Sequence, residues 1–190
     1  MKKIVIALVC IGVLFGATFG GYKYYLSHSS NGADEWEEAE YLKNKVDCKV
    51  YVYGEEILFP NQFEYEKLLT SDFSKLNFDH DTVYLVINEL NANEYLDGDK
   101  INELVELANT RSNFNFIYLG THALSVFADI IPDCSFNDND MSFSYVMEEA
   151  SRLQVTGVYM KEYIPYAEKN EMLIADNIIH FIAENVKRNS

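Results

Sequence analysis

Apolar positions along this chain fall into three patterns, and each predicts a different kind of element. The first is an unbroken run from Ile4 to Gly21, free of charge and preceded by Lys2 and Lys3. At about 1.5 Å per residue, such a run approaches the roughly 30 Å of a bilayer's hydrocarbon core. The second is the short β-branched and aromatic run bounded by turn residues. Lys49–Tyr53 before Gly54, Thr82–Ile87, and Asn113–Leu119 before Gly120 all read as strands. Thr82–Ile87 is apolar at nearly every position, which suits a central strand covered on both faces.

The third pattern is helical spacing. Asp34–Lys45 carries acids in its first turn and lysines in its last, with Trp36, Ala39 and Leu42 as an inward stripe. Asn61–Leu69 predicts a short helix burying Phe63 and Leu68 or Leu69. Asp97–Thr110 aligns Ile101, Leu104, Val105 and Ala108 on one face. Thr121 is placed to cap a helix through Ile131, with Leu124, Phe127, Ala128 and Ile131 inward and Pro132 ending it. Tyr166–Arg188 is the strongest amphipathic helix, with Ile174, Ala175, Ile178, Ile179, Ile182 and Val186 in register. Ser142–Met147 and Gln154–Met160 read as two strands of a hairpin.

Strands alternating with helices predict an α/β domain, a three-layer sandwich around a mostly parallel central sheet, Rossmann- or flavodoxin-like in outline. The hairpin adds an antiparallel edge. The expected organisation is a cytoplasmic tip (1–3), a transmembrane signal-anchor helix (4–22), a spacer (23–33) and an extracytoplasmic α/β domain (34–190). Tyr22, Lys23, Tyr24 and Tyr25 suit a membrane–water interface, and the lysines at 2 and 3 set the amino end inside. A cleaved signal peptide, with small residues at Ala17–Gly21, and lipidation at Cys10 are the other two readings of the same stretch. All three place the remaining chain outside the cytoplasm, as a single-pass protein of the cell membrane in the anchor reading.

Charge narrows the partners. All thirty acidic residues follow residue 22, facing thirteen of the fifteen basic ones. Such a field disfavours nucleic acid and anionic lipid surfaces, leaving a protein or small-molecule ligand as the expected partner. The fourteen Tyr and twelve Phe argue for a packed body over a disordered stalk. Cys48 and Cys134, both in the exported part, could form one disulfide if their backbones approach.

Ligands of open α/β sheets bind beyond the carboxyl ends of the strands, at the point where strand order reverses. That rule selects Glu55 and Glu56 after the first strand, Asn88, Glu89 and Asn91 after the second, and Gly120, Thr121 and His122 after the third. Glu55, Glu89 and His122 are the candidate catalytic set, able to do acid–base work for a hydrolase or transferase. The turn Tyr118-Leu-Gly-Thr-His122 resembles in layout the elbow of glutamine-amidotransferase-like domains, over roughly Thr82 to Ile131. Thr121 stands where that family carries its cysteine nucleophile, so the resemblance implies a site without that catalysis.

Other motifs are incomplete. Asp138, Asp140, Ser142 and Glu149 follow a calcium-loop spacing, but Phe143 takes the place of the required glycine. Asp79-His80-Asp81 alternates faces in an extended segment and reads as solvated. His28 falls in the spacer, and His180 flanks the apolar face of the last helix. No complete nucleophile, phosphate-loop or zinc signature occurs, and no cofactor is expected. The leading expectation is a non-enzymatic ligand- or protein-binding module; the alternative is an enzyme using Glu55, Glu89 and His122.

Overall fold

The carboxyl-terminal side of the chain is built on six strands in the order β2-β1-β3-β4-β5-β6. A computed structural model of the protein describes residues 32–137, 140–148, 151–156 and 171–190, with side chains described except at 32–36, 155–156 and 171–173. Trp36–Ser190 forms one compact unit. The strands are β1 (Cys48–Gly54), β2 (Glu66–Leu68), β3 (Thr82–Asn88), β4 (Phe114–Leu119), β5 (Ser142–Glu148) and β6 (Ser151–Thr156). Among the described residues four α-helices accompany them: α1 (Gly32–Asn44), α2 (Gly98–Thr110), α3 (Leu124–Ile130) and α4 (Glu171–Asn189). The sheet is mixed and mostly parallel: β2, β1, β3 and β4 run together, while β5 and β6 are antiparallel additions.

Period-two alternation divides each strand between two cores. Tyr51, Val83, Leu85, Ile87, Phe114, Phe116, Tyr118, Phe143 and Tyr145 point to one face. There they meet Ile101, Leu104, Val105 and Ala108 of α2 and Leu124 and Phe127 of α3. Val50, Val52, Tyr84, Val86, Ile117, Leu119 and Val146 point to the other face. There they meet Ala39 and Leu42 of α1 and Ile174 to Val186 of α4. The expected inward stripes of α1, α2 and α4 are thus buried wherever their side chains are described; Trp36 lies outside that set.

Three expectations are corrected. Asn61–Leu69 is not a helix: its last residues form β2, pairing Glu66, Lys67 and Leu68 with Tyr51, Val52 and Tyr53. Phe63 is buried in the α1/α4 core and Leu68 in the opposite one. Joining the edge of β1 satisfies the backbone of this segment, which no local spacing can announce. The helix after β4 starts at Leu124, and its cap position, Ala123, makes no side-chain bond. Thr121 accepts the Leu124 N–H through its carbonyl instead. Cys48 and Cys134 are free thiols. Cys48 packs on the α1/α4 core and Cys134 on the α2/α3 core, so the sheet itself separates them.

Other readings hold. The helix expected over Asp97–Thr110 is α2, and Asp97 stands at its cap, accepting the Lys100 N–H at 2.8 Å. The hairpin is present as β5 and β6, with residues 157–160 outside the described set, as are 166–170 of the last predicted helix. No helix among the described residues is long and apolar enough to cross a membrane. The run 4–22 lies outside them.

Candidate functional site

Strand order reverses between β1 and β3, and the loops leaving their carboxyl ends meet there. Gly54 closes β1 with φ +92°, and a Cβ on it would lie 2.3 Å from the Asn88 carbonyl oxygen, so only glycine fits. The Glu55 N–H donates to that same carbonyl at 2.9 Å. Asn88 fills the space between the two loops. Its Nδ2 donates to the carbonyls of Glu55 (3.3 Å) and Glu56 (3.5 Å), and its Oδ1 accepts the Leu90 N–H. Glu55 and Glu56 keep exposed side chains beside this plug.

Glu89, the next residue, turns inward and is 3 % exposed. One oxygen accepts the Leu96 N–H at 2.6 Å, and the other accepts the Tyr118 hydroxyl at 2.7 Å. That hydroxyl in turn accepts the Ala123 N–H at 3.1 Å. Burial and then the bond to Glu89 push the Tyr118 hydroxyl up, so it stays a neutral donor. Gly120, with φ +146°, leaves room for this bridge: a Cβ there would lie 3.0 Å from the Tyr118 oxygen.

Both flanks of the bridge carry an exposed ring. Tyr95 precedes Leu96, and His122 precedes Ala123. The two rings stack with centroids 4.1 Å apart and planes at 20°. One buried carboxylate therefore fixes the backbone beside each member of a surface stack. Among the described residues no hydrogen bond or ion pair joins any two of Glu55, Glu89 and His122. Through Tyr118, Glu89 reaches the N–H of Ala123, the residue after His122, while Glu55 is tied to Asn88 by its backbone. Tyr95 is absent from the sequence-derived set. An aromatic in the polar loop Asn91–Asp97 was the available signal, since loops expose their side chains.

Two clefts lie at the other end of the strands. One, of about 620 Å³, is lined by Ala39, Leu42, Cys48, Val50, Phe63 and His80 among others. A second, of about 540 Å³, is bordered by Asp81, Thr82, Asn113, Asn115, Asn185 and neighbouring residues. Cys48 and Thr82 open β1 and β3, so both clefts sit at amino ends of parallel strands. Between them Asp47 bonds His80 Nδ1 at 2.6 Å and receives the Asp81 N–H. His80 is thus paired rather than freely solvated, and its bond holds the Asp47 carboxyl below the usual value. Burial pushes the Cys48 thiol up to about 12, so it is not a thiolate nucleophile at neutral pH. His180 bonds Glu38 of α1 at 2.9 Å.

Among the described residues no cluster of three or more His, Cys, Asp or Glu is placed to hold a metal ion. Asp138 and Glu149 of the calcium-loop spacing, and His28, lie outside those residues. No family model, curated protein or solved structure matches the chain.

Proposed function

We propose that this chain is a non-enzymatic binding domain, held outside the cell membrane by residues 4–22, whose Tyr95–His122 stack contacts a protein or small-molecule ligand. The observation that carries this reading is the brace beneath the stack. Both Glu89 oxygens are committed to donors that fix Leu96 and, through Tyr118, Ala123. A general acid or base needs an oxygen open to substrate, whereas a recognition surface gains from rings that are ordered before contact. Strand order β2-β1-β3-β4 supports a flavodoxin-like outline, from which the antiparallel β5–β6 pair departs.

A photoreactive phenylalanine derivative in place of Tyr95, illuminated in intact cells, tests the reading. It should give a discrete adduct, and the same group at Leu69, exposed at the far edge of the sheet, should not. No adduct, or equal adducts from both positions, would refute the binding surface. Turnover of chromogenic esters or phosphomonoesters that disappears in His122→Ala would establish the enzyme instead.

A further inference from the structure

Helix α1 is attached more lightly than α2 and α4. From Glu37 onward it buries two apolar side chains, Ala39 and Leu42, with Tyr41 partly covered. Helix α2 buries four, and the described part of α4 buries seven. The other ties of its described side chains are ion pairs and carboxylate–histidine contacts, and they reach different parts of the domain. Glu38 meets His180 at 2.9 Å and Lys187 at 3.7 Å, both on α4. Lys187 also meets Glu184 at 2.9 Å. Lys43 meets Glu64 of the β1–β2 connection at 2.6 Å. Just past the helix, Asp47 holds His80 of the β2–β3 connection at 2.6 Å.

Ala39, Leu42 and Lys43 of α1 line the 620 Å³ cleft together with Cys48, Val50 and Phe63. The helix therefore borders a cleft with residues of the same face that makes its core contact. Ion pairs between partly exposed groups hold weakly and are screened by salt, whereas the apolar contacts of the sheet are not.

We propose that α1 is a charge-latched cover over the cleft at the amino ends of β1 and β3. When its ion pairs are screened or replaced, the helix leaves as a unit while the sheet stays folded. Opening exposes the walls of the cleft, Cys48 among them.

The full-length chain contains its own reporters. Cys48 lines the cleft, and Cys134 lies across the sheet as an internal control. Alkylation by iodoacetamide, a neutral reagent, is followed site by site by peptide mass at low and high salt. Amide exchange of α1 and of β3 is followed in parallel. Raising sodium chloride to about 0.5 M should speed Cys48 alkylation and α1 exchange about tenfold, with Cys134 and β3 unchanged. The double substitution Glu38→Gln with Lys43→Gln should give the same selective rise at low salt. Flat Cys48 alkylation in both conditions would overturn the proposal. So would a rise shared by Cys48, Cys134 and β3, because α1 would then open only with the whole domain.

Discussion

At Glu89 one carboxylate takes two donors, one from the β3–α2 loop and one from β4, so its removal strands both. Glu89→Ala should lower stability by about 2–3 kcal/mol, because the Leu96 N–H and the Tyr118 hydroxyl each lose a buried acceptor. Glu89→Gln keeps one acceptor and should cost about half as much. Urea midpoints at unchanged m-value measure both. Equal, negligible costs would show that the brace contributes nothing. Tyr95→Ala and His122→Ala remove only exposed rings and should stay within about 0.5 kcal/mol of wild type. That combination separates the brace from the surface it supports. Asp47 gives a pH signature. Its bond to His80 lowers the carboxyl below its ordinary 3.8. A folded value below the unfolded one adds stability above about 3.8 and loses it as pH falls through the folded value. Asp47→Asn should therefore lose less stability than wild type between about pH 5 and pH 2.5 in urea titrations. An identical loss would mean that the pair does not couple to folding.

Among the elements, the junction of β4 and β5 depends on a side chain. The ladder pairs Phe116 with Tyr145, and two residues further on the Met147 N–H donates to Asn115 Oδ1 at 2.7 Å. Asn115 also accepts from Arg152 of β6, so one amide secures both strands of the hairpin. Asn115→Ala should cost about 2–3 kcal/mol and speed exchange of the Met147 amide above that of β3. Unaltered Met147 exchange would rule out that anchoring. Elements with long periodic patterns were readable from sequence: β3 from its apolar run, α2 from its stripe, α4 from its spacing of isoleucines. Asn61–Leu69 was not, because three residues pairing with a neighbouring edge leave no period to detect. The candidate site divides the same way. Loop positions after β1, β3 and β4 followed from strand order, as did the polar character of Glu55, Glu89 and His122. The inward turn of Glu89 depends on a hydroxyl 29 residues away, and the 620 Å³ cleft depends on where α1 lies. Neither relation is local in sequence.

For the molecule as a whole, the proposed anchor makes a direct prediction. The protein should remain with membranes through a carbonate wash, and protease outside intact spheroplasts should digest the domain while sparing the amino-terminal tail. A domain protected until the membrane is broken would remove the extracytoplasmic placement. Val86 lies at the centre of β3 with no exposure, facing α1 and α4. Val86→Asp would bury an unpaired charge there, costing several kcal/mol, and should abolish the cooperative urea transition. The two faces of the sheet also differ in when their partners exist. Every member of the α2/α3 core falls between Tyr51 and Tyr145. The other core needs Ile174 to Val186, and Tyr84 waits for Asn185, 101 residues later. A ribosome that has released residue 150 has supplied one finished side and one bare apolar side. The closing helix follows every other described element in the chain, so the growing chain passes through a stage in which it is half covered, and a chain cut short before that helix stays so.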